Sequence, residues 1–322
     1  MSRALITGGS GFIGLHLARR LRQDGWRVAI ADNFSRGRRD SELESLCQDD
    51  QVRLYEGDLR DRAFVEGLGR DYDVVFHLAA ILGVQNVIDR PYEVLEANVA
   101  LTAAAIDLAR RQSKLQRLVF ASTSEVYAGT LETFGMAIPT PEDTPIALPP
   151  VERPRSSYML SKIYGEALCL HSGCPVTVIR PHNVYGPRMG AAHVIPQLLE
   201  RGHRLPNGGT LDVYSVEHSR TFCYIDDAVE MIVRLAGSAA AAGQVVNVGT
   251  QTPEVTVGQL AGIVIATLNK RLAIAPKPPT QGSPARRAPD MSRCAQLTGY
   301  RSRVPLEEGI ARTYQWYRRD WS

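Results

Sequence analysis

The chain has 322 residues, of which 44% are hydrophobic and 22% charged, and a formal net charge of +3. That length holds one large domain or two closely joined ones, and near-balanced charge without a basic, aromatic-interleaved run argues against a nucleic-acid partner. Five cysteines at no metal-like spacing argue against a disulfide framework or a metal site. The most apolar stretch, residues 74–84, is too short to span a membrane, and "MSRALITGG" has no signal-peptide character, so a reducing cytoplasm is expected.

From the N-terminus, short β-branched runs alternate with longer amphipathic ones. Strands are predicted at 3–7, 27–32, 52–58, 73–78, 117–122 and 176–181, and helices at 12–24, 61–69, 91–112 and 156–172. Most of the strands are apolar nearly throughout, as strands buried on both faces of a parallel sheet should be. The alternation predicts an α/β fold with a doubly wound parallel sheet. Past residue 181 the pattern loosens: helices at 192–202, 226–236, 256–268 and 305–319, and strands near 211–215, 220–225 and 245–248. Residues 1–181 read as the first domain and 182–322 as a smaller mixed lobe, with some segments returning to the first. Stretches 237–243 and 276–284 read as surface connections.

"LITGGSGFIG" places Gly8, Gly11 and Gly14 between the first strand and the first helix. In that context Gly8 makes a tight turn, Gly11 admits a pyrophosphate to the backbone, and Gly14 lets helix and strand pack closely. The helix start then offers N–H groups to the phosphates. Asp32 closes the second strand, where an acid bonds the ribose hydroxyls of NAD and repels a 2′-phosphate. Asp58, after the third strand, takes another carboxyl-end position. His77 in "FHLAA" reads as a core histidine beneath the cofactor loop.

The chain holds only four lysines, Lys114, Lys162, Lys270 and Lys277, among 37 basic residues. Lys162 follows Tyr158 by four positions on a predicted helix, so the two side chains share a face. A phenol with a pKa near ~10 is a weak base at neutral pH. A nearby ammonium and an oxidised nicotinamide ring favour the phenolate, which can then take a proton from a sugar hydroxyl. A third polar group for that hydroxyl comes from "FASTSEVY", where Thr123, Ser124 and Glu125 are the candidates at a strand end.

"TGGSGFIG", "FHLAA", "STSEVY", "YMLSK" and "RPHNVYGPRM", in this order, resemble the extended short-chain dehydrogenase/reductase family, and within it the NAD-dependent nucleotide-sugar epimerases, dehydratases and decarboxylases. The resemblance runs over nearly the whole chain. It implies a Rossmann NAD-binding domain over 1–181 and a nucleotide-sugar-binding lobe over 182–322. It implies tightly held NAD touched by Gly8, Gly11, Phe12, Ile13, Gly14, Asp32, Asn33, Asp58, Leu59, Leu78, Ala79, Ala80, Asn98 and Lys162. Catalysis falls to Thr123, Tyr158 and Lys162, with Ser124 and Glu125 beside them. Substrate contacts fall to Arg155, Asn183, Arg188, Arg220, Arg287 and Asp290, and the helices at 91–112 and 156–172 resemble a homodimer interface.

The family oxidises the sugar at C4 and later returns the hydride. A 4,6-dehydratase carries Asp-Glu after the threonine; Ser124-Glu125 lacks the first acid. Ser-Glu, "PPVERPRSSY" and "RRAPD" resemble UDP-glucuronate decarboxylases, with Arg155 facing a substrate carboxylate, whereas "AAILGVQNVIDRP" does not. A 4-epimerase of a UDP-linked hexose or uronic acid needs fewer groups and stands slightly ahead, the decarboxylase next. A dinucleotide sensor without catalysis is disfavoured by retention of Thr123, Tyr158 and Lys162 together.

Overall fold

The computed structural model describes residues 1–279 and 284–321. Its first half repeats strand and helix in turn: β1 (Arg3–Thr7), α1 (Phe12–Gln23), β2 (Arg27–Asp32), α2 (Ser41–Cys47), β3 (Val52–Glu56), α3 (Arg62–Gly67), β4 (Val74–His77), α4 (Val84–Asp89), α5 (Pro91–Arg110), β5 (Arg117–Ala121), α6 (Ala128–Phe134), α7 (Ser156–Leu170) and β6 (Val176–Pro181). The second half is more broken. It runs β7 (Val184–Tyr185), α8 (Val194–Arg204), β8 (Thr210–Tyr214), β9 (Ser219–Arg220), β10 (Cys223–Tyr224), α9 (Ile225–Gly237), β11 (Gln244–Val248), β12 (Val255–Thr256), α10 (Val257–Thr267), β13 (Ala273–Lys277), β14 (Arg286–Arg287), α11 (Ser292–Thr298) and α12 (Leu306–Tyr317).

Seven strands form one sheet in the order β11-β6-β5-β4-β1-β2-β3, and every pairing is parallel. Alternate residues serve opposite faces, as a period of two requires. Ala4, Ile6, Val28 and Ile30 face a core shared with α1 and α9, while Leu5, Ala29 and Ala31 face a second core shared with α3, α5 and α7. Helices therefore cover both faces, and the carboxyl ends of the strands open along one edge. The doubly wound α/β sheet is the one the alternation implied, and its Rossmann character is the one the resemblance implied.

Segments past residue 181 return to the first sheet. β11 pairs with β6, and α9 packs beside α1, so residues 225–248 complete the first layer system. The remaining second half makes small units: β8 with β13, β9 between β12 and β14, and β7 with β10. The expected connection 276–284 begins inside β13, and its residues 280–283 lie outside the described residues. No helix among the described residues is long and apolar enough to cross a membrane.

Candidate active site

The turn after β1 is shaped by missing side chains. Gly8 has φ +72°, and a Cβ there would lie 2.7 Å from the Ala79 nitrogen. A Cβ on Gly14 would lie 2.5 Å from the Gly8 carbonyl oxygen. Both obstacles are backbone, so neither can yield. α1 starts at Phe12 and Ile13 with no side-chain cap and no acid in its first turn, leaving N–H groups and the positive end of the helix dipole for an anion. Ser10, fully buried beside them, has a hydroxyl without a protein partner. These features fit a dinucleotide pyrophosphate.

The other expected cofactor residues stand along the same edge. The Asp32 carboxylate accepts from the Ser10 and Phe34 amides at 3.0 and 2.9 Å. Asn33 donates to Asp58 at 3.1 Å, and Arg60 grips Asp58 through Nε and Nη2, holding its carboxyl down at about 2. Leu59 is buried, and Leu78 and Ala79 follow β4 against the glycine turn, with Ala80 next. Asn98 was expected at the cofactor. Its side chain donates to the Ile81 carbonyl and the Ser161 hydroxyl and accepts from the Ile81 amide. It braces the loop at 79–83 and has no donor left for a cofactor. His77 is buried as expected; its Nδ1 shares a 2.8 Å hydrogen bond with Thr7, and burial holds the ring neutral at about 3.

Tyr158 and Lys162 leave α7 on one face, at the carboxyl end of β5. Near Tyr158 stands Thr123, which caps the turn at 124–127 by accepting from the Glu125 amide. The Tyr158 phenol is pushed well above its ordinary range, first by burial and then by the Glu125 carboxylate; Thr123 and the Arg36 charge oppose the shift. Lys162 is 4% exposed, and burial pulls its amine down to about 8. Its Nζ donates to the Ala121 carbonyl at 2.8 Å and lies 5.8 Å from the Tyr158 ring centre. The protein alone therefore disfavours the phenolate, and only added positive charge can bring Tyr158 into range.

Beyond Tyr158 lies a cationic wall. Arg287 donates to the buried Ser124 hydroxyl at 3.4 Å and feels the charges of Glu125 and Arg155. β14 and β9 set Arg287 opposite Arg220 in register. Like charges placed opposite each other repel. Burial and Arg287 together pull Arg220 down to about 10. An anion between them would remove that cost. Asn183, at φ 42°, donates to the Thr221 carbonyl at 3.0 Å and so stays next to Arg220. Asp290 accepts from the Ser292 amide at 2.8 Å beyond β14. Arg188, expected at the substrate, has all five of its N–H groups bound to the glycine turn and to residues 38–40.

Sequence reasoning missed several neighbours. Arg36, after β2, acts on Tyr158, and His193, at the start of α8, feels Arg36 and Glu125. Both come from loops whose placement no local pattern reveals. It also missed a buried pair one turn past Lys162: Glu166 accepts from Arg180 at 2.9 and 2.7 Å and from the Ser122 hydroxyl. That carboxylate joins α7, β6 and the residue preceding Thr123. The recurrence of Glu166 four positions after Lys162 was a legible signal.

Residues 4–249 match the model of the NAD dependent epimerase/dehydratase family. The UDP-N-acetyl-alpha-D-glucosaminuronate decarboxylase of Bacillus cytotoxicus is 32% identical, over 98% of each chain. The UDP-glucose 4-epimerase of Mycolicibacterium smegmatis is 31% identical, again over 98% of each. Among solved structures, the UDP-glucuronic acid 4-epimerase of Bacillus cereus, in complex with UDP-glucuronic acid and NAD, superposes with a TM-score of 0.82 at 25% identity, covering 98% of this chain and 99% of that one. An uncapped phosphate-binding helix, a Thr-Tyr-Lys cluster at the next strand ends and a match of this extent agree: the chain is an enzyme of the NAD-dependent epimerase/dehydratase family and uses NAD.

Proposed function

We propose that the protein oxidises a UDP-linked uronic acid at C4 and releases its C5 carboxylate as carbon dioxide. The observation that carries this reading is Glu125 beside Tyr158. A carboxylate there makes the phenol a poorer base. Epimerisation at C4 moves only the hydroxyl proton and a hydride, so a 4-epimerase gains nothing for that cost. A decarboxylase does, because the enolate left at C5 must be protonated and a carboxyl group at hand can relay the proton. Ser124, held by Arg287, is not an acid, so elimination of water lacks its donor.

Bound NAD supplies the hydride acceptor. Thr123 and Tyr158 hold the C4 hydroxyl, and Tyr158 takes its proton while the Lys162 charge stabilises the phenolate. Once C4 is a ketone, the C5 carboxylate is that of a β-keto acid, and Arg155 orients it. Arg220, Arg287 and Asn183 take the diphosphate, and Asp290 takes the nucleotide ribose. The decarboxylase name of the Bacillus cytotoxicus relative supports this reading. The Mycolicibacterium smegmatis and Bacillus cereus epimerases support the second reading, inversion at C4 of a UDP-linked hexose or uronic acid.

Incubation with UDP-glucuronate, UDP-N-acetylglucosaminuronate and UDP-glucose, followed by mass analysis, separates the two. Loss of carbon dioxide from a uronate supports the proposal; an isomer of unchanged mass rejects it in favour of epimerisation. Tyr158→Phe should lower turnover by roughly 10²–10⁴ while NAD content stays at the wild-type level, and unchanged turnover would sink the mechanism.

We further place the protein in a reducing cytoplasm, consistent with its five free cysteines. As a homodimer it would join through α5 and α7. These helices pack on each other and leave Tyr92, Tyr164 and Leu170 exposed at 78, 52 and 41%.

A further inference from the structure

Arg188 is a buried cation that touches neither Tyr158 nor the Arg220–Arg287 pair, and its own contacts assign it another task. Its side chain is 1% exposed. Nε donates to Asp40 at 2.7 Å; Nη2 donates to the Asp40 carboxylate at 3.2 Å and the Arg38 carbonyl at 2.8 Å. Nη1 donates to the Ser10 and Gly11 carbonyls at 2.7 and 3.1 Å. A guanidinium has five N–H groups, so its capacity is filled. We infer that Arg188 and Asp40 form a latch that closes residues 34–40 over the phosphate-binding turn and sets how fast NAD leaves.

Three observations build the latch. Residues 34–40 lie directly on the glycine turn: the Arg38 amide donates to the Ser10 carbonyl at 3.3 Å, and a Cβ on Gly37 would fall 1.7 Å from the Ser10 hydroxyl. Any side chain at Gly37 would displace the Ser10 hydroxyl from the place it holds beside the turn. Next, the peptide group whose Gly11 carbonyl Arg188 holds carries the Phe12 N–H at the uncapped start of α1, while the Gly11 N–H donates to the Gly8 carbonyl at 3.2 Å. A cation on the carbonyl side polarises the Phe12 N–H toward an anion on the other side. Arg188 therefore strengthens the phosphate site without entering it. Last, its backbone sits at φ 71°, a region that long side chains rarely adopt. Flanking contacts keep it there: His16 bonds the Pro187 carbonyl at 3.1 Å, and the Tyr317 hydroxyl donates to the Met189 carbonyl. A residue held in a strained conformation with every donor matched is over-determined by its surroundings, the usual mark of a functional constraint.

The latch joins segments from opposite ends of the first 190 residues, so NAD retention depends on a chain segment outside the dinucleotide motif. The inference stands whichever sugar the site takes. Its test is exchange of bound NAD for isotopically labelled NAD, read by mass spectrometry on the full chain. Asp40→Asn removes the charge while keeping a good cap for α2. Arg188→Lys keeps the charge and loses the fork. Each should release NAD about tenfold or more faster than wild type, and the double variant should add little to the larger single effect. Folded variants that release NAD at the wild-type rate would overturn the latch. If either fails to fold, hydrogen exchange of the NAD-loaded wild type decides: the Phe34 and Arg38 amides should exchange at least as fast as NAD does. Protection of those amides beyond the time in which NAD turns over would also reject it.

Discussion

Lys162 sits where an ammonium is disfavoured. An unperturbed lysine amine titrates near ~10.4, and burial brings Lys162 to about 8. Between these values the unfolded chain holds a proton that the folded chain has lost, so stability rises with pH across that window. At pH 7, below both, the folded protein carries the full cost of a buried charge. Lys162→Met should therefore stabilise the protein at pH 7 by about 1–3 kcal/mol, less the loss of the bond to Ala121, and abolish turnover. Denaturant unfolding at pH 7 and 9.5 checks the sign: the advantage of the variant should shrink at the higher pH. The site holds that charge at a cost to stability because the Tyr158 phenol, raised by burial and Glu125, needs it.

At the scale of elements, the turn between β1 and α1 is the clearest case of local sequence meeting tertiary demand. A Cβ added at Gly14 would lie 2.5 and 2.6 Å from Gly8 and Gly9 backbone atoms, so a methyl group cannot be accommodated by rotating a side chain. Gly14→Ala should lower stability by about 1–3 kcal/mol and weaken NAD binding, measurable by thermal unfolding with and without NAD. Strands β1, β2, β4, β5 and β6 were legible because each is buried on both faces, which leaves an apolar run, whereas β3 at the sheet edge is only partly buried. α2, α6 and α11 were not. Each has seven residues, too short for a helical period to declare itself, and α2 starts only because Asp40 caps the Leu43 amide.

For the whole molecule, the decisive surface is the outer face of α5 and α7. The same α7 carries Tyr158 and Lys162 inward and Tyr164 and Leu170 outward, so one helix serves both the proposed catalysis and the proposed dimer. Tyr164→Glu would put a charge into that contact. It should shift sedimentation at micromolar concentration from dimer to monomer; a wild-type protein that sediments as a monomer would reject the interface. The buried Glu166–Arg180 pair stiffens the inner side of α7. Its bidentate geometry and the added Ser122 bond satisfy charges that burial would otherwise make costly.

The chain by itself determined what depends on short spacing. Four residues between Tyr158 and Lys162 place them on one helical face, and three glycines between a strand and a helix make a phosphate turn wherever the chain goes. Only the tertiary structure decided the work of the arginines. Arg188, Arg220 and Arg287 have the same chemistry, and nothing local separates them. Parallel pairing of β14 with β9 sets two of them side by side, where repulsion calls for an anion, while the segment after β7 turns the third back onto the glycine loop. Contacts that span more than a hundred residues are set by which surfaces pack, and packing is a property of the folded chain as a whole.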